Sequence, residues 1–143
     1  MEHYQKLQRM YLSAPVNTEI YRGIAIDIAQ GKAELTLPIT PQYFHAAGAA
    51  HGSVYFKLLD DAAFFAVNSV VTDVFVYTVS FNTQLLRPIT GGIVRAVGEL
   101  QFQSANLFIA DAVLYDAKNR IVGRGSGSFM KSKMALDAKI GYQ

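Results

Sequence analysis

Apolar residues recur at helical spacing in the first dozen positions. In "EHYQKLQRMYL" the residues Tyr4, Leu7, Met10 and Tyr11 fall near one face, which predicts a short amphipathic helix over about 2–12. The period then drops to two. "IYRGIAIDIA" alternates Ile20, Ile24, Ile26 and Ile28 with polar or small residues, "QGK" turns the chain, and "AELTLPI" returns it as a hairpin. Pro38 and Pro41 break the ladder, and Tyr43 to Ala50 is a connecting loop rich in Ala and Gly. From His51 to about Val71 the chain reads as its one long helix, apolar almost all the way round and therefore buried on most sides. The remainder reads as strands. "VFVYTVSFNTQLLRP" puts Phe75, Tyr77, Val79 and Phe81 on one face and Val76, Thr78, Ser80 and Asn82 on the other, with Pro88 and Gly91-Gly92 closing it. "IVRAVGELQFQ", "LFIADAVLYD" and "RIVGRGSGSFM" follow with short links at "SAN" and "AKN", an antiparallel meander. Helix, two strands, long buried helix and four strands make an α+β chain, expected as one domain over 1–143 whose sheet wraps around the central helix.

Composition adds a reason to expect assembly. Only 17% of the 143 residues are charged while 51% are apolar, so a chain this small has too few polar groups to cover its own surface. Burial against another copy would solve this, which points to an oligomer. The net charge of +2 is scattered, and the densest cluster, Lys131, Lys133 and Lys139, reads as a solubilising tail; no nucleic-acid partner is expected. There is no cysteine, so disulfides, thiolate metal sites and cysteine nucleophiles are excluded, and three histidines make no zinc pattern. "MEHYQKLQRMYLSAP" has no apolar signal core and "AAFFAVNSVV" is too short to span a bilayer, so a cytoplasmic protein without membrane insertion is expected.

Two features carry candidate chemistry. Asp60 and Asp61 sit side by side in the buried helix, about 100° apart, so at least one of them must meet core or an interface. Carboxylates persist in such places chiefly at clefts with a function. His51-Gly52 opens the same helix, where unpaired amides carry partial positive charge and could steady an oxygen that gains negative charge. On residues alone Gly52 reads first as the glycine that lets the chain enter the helix. Thr78, on the polar face of its strand, has a hydroxyl that could orient water. "GRGSGS" lacks the Lys-Ser/Thr ending of a phosphate loop and reads as glycines where strands bend or pack closely.

His51-Gly52-Ser53, then "LLD" ending nine residues after the histidine, then a small-residue helix, resembles the hotdog-fold acyl-CoA thioesterases, in the branch related to the phenylacetate-pathway enzymes. "VSFNTQLLRPITGG" and the closing meander are similar to the strands that follow the helix in that family. The resemblance covers about residues 18–131. It implies an antiparallel sheet wrapped around one long helix, a homodimer or homotetramer, and no cofactor or metal. It implies hydrolysis of acyl-CoA to free acid and CoA at a site between subunits. Asp60 matches the catalytic Asp, as general base or nucleophile, and Asp61 falls on a variable position. The Gly52 amide would polarise the carbonyl, with His51 and Thr78 beside it. CoA would lie over Gln103, Ser104 and Asn106 and over Arg87, Pro88 and the residues up to Thr90. Ser53 stands where the family has a second Gly, and His45 where many relatives carry an Asn that holds water or the thioester. An imidazole there could accept a proton from water or, when charged, steady the carboxylate. A hotdog dehydratase or hydratase, and a domain that binds acyl-CoA without turnover, are the competing readings.

Overall fold

The helical spacing of the first residues is realised as α1 (Glu2–Ser13), which buries Leu7, Met10 and Tyr11. The computed structural model describes residues 2–143; Met1, the first residue of the expected unit, lies outside the described residues. Strands β1 (Ala25–Ala29), β2 (Lys32–Pro38), β3 (Val74–Leu85), β4 (Ile93–Gln103), β5 (Leu107–Tyr115) and β6 (Ile121–Ala135) form one antiparallel sheet. Its order is β1-β2-β4-β5-β6-β3, so the meander β4-β5-β6 is central and β3 is an edge. The long helix α2 (Gly52–Asn68) lies in the concave face and packs on strands β1 to β6.

The helix sits very close to the sheet because both surfaces are small where they cross. Ala62 and Ala63 face Gly98 on β4, and a Cβ on Gly98 would fall 2.2 Å from the Ala62 carbonyl oxygen. The glycines of "GRGSGS" do the same for β3. The Phe81 ring lies over Gly125 and Gly127, where added Cβ atoms would stand 2.5 and 2.4 Å from it. Close packing is therefore the role of that stretch.

Four boundaries differ from the sequence reading. The alternation at Ile20 to Ile24 is not strand: Val16–Ile20 forms a single π-helical turn and Gly23, at φ 83°, reverses the chain, so β1 begins only at Ala25. The long helix ends at Asn68, three residues early. The buried Asn68 amide donates to the carbonyls of Val71 and Val74 and its oxygen accepts from the Val76 amide, which turns the chain into β3. The face pattern of β3 is broken by a bulge between Thr78 and Ser80. Thr78 bonds Asp60 on α2 and Phe81 packs edge-on against Phe56 on α2, although residues three apart in an unbroken strand point to opposite faces. The lysine-bearing tail is not a loose appendage. Lys131 and Lys133 belong to β6, and the segment beyond it returns to α1, where His3 Nδ1 lies 2.7 Å from the Tyr142 hydroxyl.

Candidate active site

A carboxylate inside a mostly buried helix needs partners, and the two aspartates of α2 obtain different ones. Asp61 takes an ion pair. Lys57, one turn earlier, places Nζ 2.7 Å from Asp61 Oδ2, and the Tyr11 hydroxyl donates to the same oxygen at 2.6 Å. Lys57 also donates to Asn17 Oδ1 at 2.7 Å, and the buried Asn17 amide donates to the Tyr11 carbonyl at 2.8 Å. Burial and the Asp61 charge together push the Tyr11 phenol far up, so it stays protonated as a donor.

Among the described residues no cation pairs with Asp60. Its Oδ1 accepts one bond, 2.8 Å, from Thr78 Oγ1. Burial pushes its carboxyl up to about 6, with the Asp61 charge adding to the rise and the Thr78 bond and Lys57 opposing it. A carboxyl held there is a far better proton acceptor near neutral pH than an ordinary aspartate. It faces a cavity of about 600 Å³ whose other walls include Phe64, Phe65, Phe75, Met10, Met134 and Ile140.

The helix start forms a second locus. His51 caps α2 by accepting from the Ser53 amide through Nδ1 at 3.0 Å. The Gly52 amide, at the first helical position, has no intrahelical acceptor. Gly52 borders a shallow concavity of about 400 Å³ with His45, Tyr55, Leu85, Arg87 and Pro88. His45 is exposed, and its Nδ1 accepts from the Ala47 amide at 3.1 Å. Within one chain His45 therefore belongs with Gly52 and is not among the residues lining the Asp60 cavity. Gly52 and Asp60 are eight residues apart on one helix, which is roughly 12 Å at 1.5 Å per residue. A thioester carbonyl cannot touch both in the same chain.

The expected CoA segments are also split. Arg87 and Pro88 follow β3 near the start of β6, and Arg87 Nη1 donates to the Ile121 carbonyl. Gln103 ends β4, and Ser104 and Asn106 lie in the exposed turn before β5, where Ser104 Oγ bonds the Leu107 backbone. Because Tyr115 pairs with Ile121 and Leu107 with Met130, these two segments lie at opposite ends of the sheet. Arg87 instead shares an open concavity of about 640 Å³ with Arg120 and Arg124. Among the described residues no group of three or more His, Cys, Asp or Glu could hold a metal ion, and no helix is long and apolar enough to cross a membrane.

Sequence reasoning missed Tyr11, Asn17 and Lys57. The Lys57-Asp61 spacing of four was a visible signal for an ion pair on a helix face. Tyr11 and Asn17 had none, since their role depends on how α1 docks.

The family model described as thioesterase superfamily matches residues 47–122, just over half of the chain. No functionally curated protein matches. Among solved structures the chain resembles the Escherichia coli PaaI protein from the phenylacetic acid degradation operon, at 21% identity over 94% of this chain and 96% of that one, with a TM-score of 0.83. A thioesterase family protein from Silicibacter pomeroyi is 24% identical over 90% of this chain and 96% of that one, TM-score 0.82. A conserved protein of Pseudomonas aeruginosa is 22% identical over 86% and 97%, TM-score 0.77. The sheet wrapped around α2 is the hotdog fold of these structures, and the chain belongs to the thioesterase superfamily.

Proposed function

We propose that the protein hydrolyses acyl-CoA thioesters to free acid and CoA, with Asp60 as general base or nucleophile and the Gly52 amide polarising the carbonyl. The observation that carries this reading is the contrast between the two aspartates. Asp61 is tied into an ion pair, while Asp60 is held by one neutral hydroxyl with its carboxyl raised to about 6, beside a large apolar cavity that suits an acyl group.

The separation of Gly52 from Asp60 supports a site built by two copies. Strand β3 is twelve residues long, lies at the sheet edge and exposes Tyr77, Val79 and Leu85. Such an edge favours pairing with another chain. A two-fold axis through β3 reverses the partner, so the Gly52 end of one α2 approaches the Asp60 region of the other. It also brings the Gln103 to Asn106 turn of one copy to the end that carries Arg87 in the other, so CoA can follow both. The cytoplasm is the compartment in which acyl-CoA would meet the enzyme.

The experiment is release of free thiol from a panel of acyl-CoAs, followed by complementation. Asp60→Asn removes the proton acceptor. Gly52→Pro removes the amide at a position that tolerates proline, since it is the first helical residue and His51 before it is extended at φ −60° and ψ 147°. Each variant alone should be inactive. Refolded together as equal mixtures, they should regain about a quarter of wild-type activity, because half of the random dimers hold one intact site of two. Full activity in Asp60→Asn would overturn the reading; two inactive variants that never complement would overturn the shared site.

A further inference from the structure

We infer that the N-terminal segment decides which of the two aspartates is the free one: Tyr11 and Asn17 hold Lys57 on Asp61, so that Asp61 acts as a positioning residue that keeps the lysine's charge off Asp60. The inference rests on the reading of Asp60 as the catalytic carboxylate. It assigns roles to Asp61, Lys57, Tyr11 and Asn17, which share the walls of the Asp60 cavity.

On a bare helix Lys57 could serve either carboxylate. Asp60 is three residues on and Asp61 four, and both spacings permit a pair. An ion pair with Asp60 would steady its charged form and weaken it as a base. The choice is settled by groups outside α2. Asn17 Oδ1 accepts from Nζ at 2.7 Å, and the Tyr11 and Tyr21 rings lie 5.1 and 5.0 Å from the ammonium, within cation–π range. Tyr11 then fixes Asp61 by donating to the oxygen that receives Lys57. The lysine is thereby held on the side of α2 that faces α1 and the turn after it. Asp60 is left with Thr78, which is neutral.

The other ionisable groups near Asp60 fit this division. From α2 they are Lys57 and Asp61, from α1 Tyr11, and from the C-terminal segment Lys139, an exposed residue on the cavity wall; Tyr21, in the turn after the π-helical segment, faces Lys57 and the Asp61 charge instead. β3 contributes no charge, only Thr78 and Phe75. Lys57 is therefore the one cation on the same helix turn as Asp60, and Asp61 is what neutralises it. Removing the Asp61 charge would lower the Asp60 carboxyl in two ways, by deleting a neighbouring negative charge and by releasing Lys57.

The test is the pH dependence of hydrolysis, with the Asp60 side-chain carboxyl titrated in parallel by ¹³C NMR. In Asp61→Asn the acidic limb of kcat/KM and the NMR titration should both move down by about one pH unit. Adding Lys57→Met to Asp61→Asn should return both toward the wild-type position, because the released charge is gone. A role in packing alone would lower activity at every pH and would not be rescued by deleting the lysine. An unmoved titration in Asp61→Asn, or a double variant whose titration stays as low as that of Asp61→Asn, overturns the inference. Should Asp61→Asn fail to fold, Asn17→Leu and Tyr11→Phe loosen the same hold and should move the titration in the same direction, and no movement in either overturns it. The NMR titration reads the inference whether or not any thioester is turned over, whereas an active Asp60→Asn would refute the catalytic reading alone.

Discussion

Replacing Asp60 by Asn should make the protein more stable while abolishing its activity. A carboxyl raised from 3.8 to about 6 binds a proton more readily in the folded chain than in the unfolded one. Between those two values the folded state carries the extra proton, so stability is greatest at the acid end and falls as pH rises through about 6. At 1.36 kcal/mol per pH unit the shift corresponds to roughly 3 kcal/mol of cost above pH 7. Asp60 is only partly buried, and water reaching it from the cavity screens its charge, so about 1–2 kcal/mol is the expected value. Asn has nearly the same shape, still accepts from Thr78 and carries no charge. Urea unfolding of both proteins, at one fixed protein concentration because an oligomer's stability depends on it, should show Asp60→Asn ahead by that margin at pH 8. At pH 3, below both values, where the carboxyl is protonated in the folded and the unfolded chain alike, the two curves should meet. A gap of the same size at both pH values would refute the electrostatic argument, and so would a variant less stable than wild type at pH 8.

Gly98→Ala should destabilise the fold by about 3 kcal/mol or more, since its Cβ would meet the backbone of α2 at 2.2 Å and neither strand nor helix has a flexible end to move aside; a shift in the urea midpoint measures it. Arg87→Gln should raise KM for acyl-CoA about tenfold, the value of one charge-assisted contact to phosphate, and leave kcat and the KM of a short thioester without the nucleotide unchanged. Equal effects on both substrates would remove Arg87 from the CoA site.

The parts of the fold that were legible in the sequence are those where a period repeats over many residues. The face of α1, the buried helix and the three strands of the meander each repeat their pattern long enough to exceed local noise. The failures lie where one residue interrupts a pattern for a reason that only packing supplies. Gly23 turns the chain between Ile20 and Ile24, so the alternation that the two isoleucines continue on paper starts only at β1. Asn68 ends a helix that Val70 and Val71 would extend, because its amide serves three backbone groups of the turn that follows. The bulge after Thr78 leaves no mark on a strand that is rich in β-formers throughout.

The site was legible in a different way. Two adjacent carboxylates in an apolar helix are informative because burying charge is costly, and that argument holds before any contact is known. It says that both must be accommodated and leaves open how. The sequence offers Lys57 equally to Asp60 and Asp61, and nothing within α2 distinguishes them. The distinction comes from Tyr11 and Asn17, more than forty residues earlier, on a segment outside the stretch that matches the family. A helix that carries both a base and a nearby cation needs something beyond itself to keep them apart. In this chain the docking of α1 is what does so, and substitutions at its Tyr11 should therefore register in the pH dependence of a carboxyl that Tyr11 does not touch.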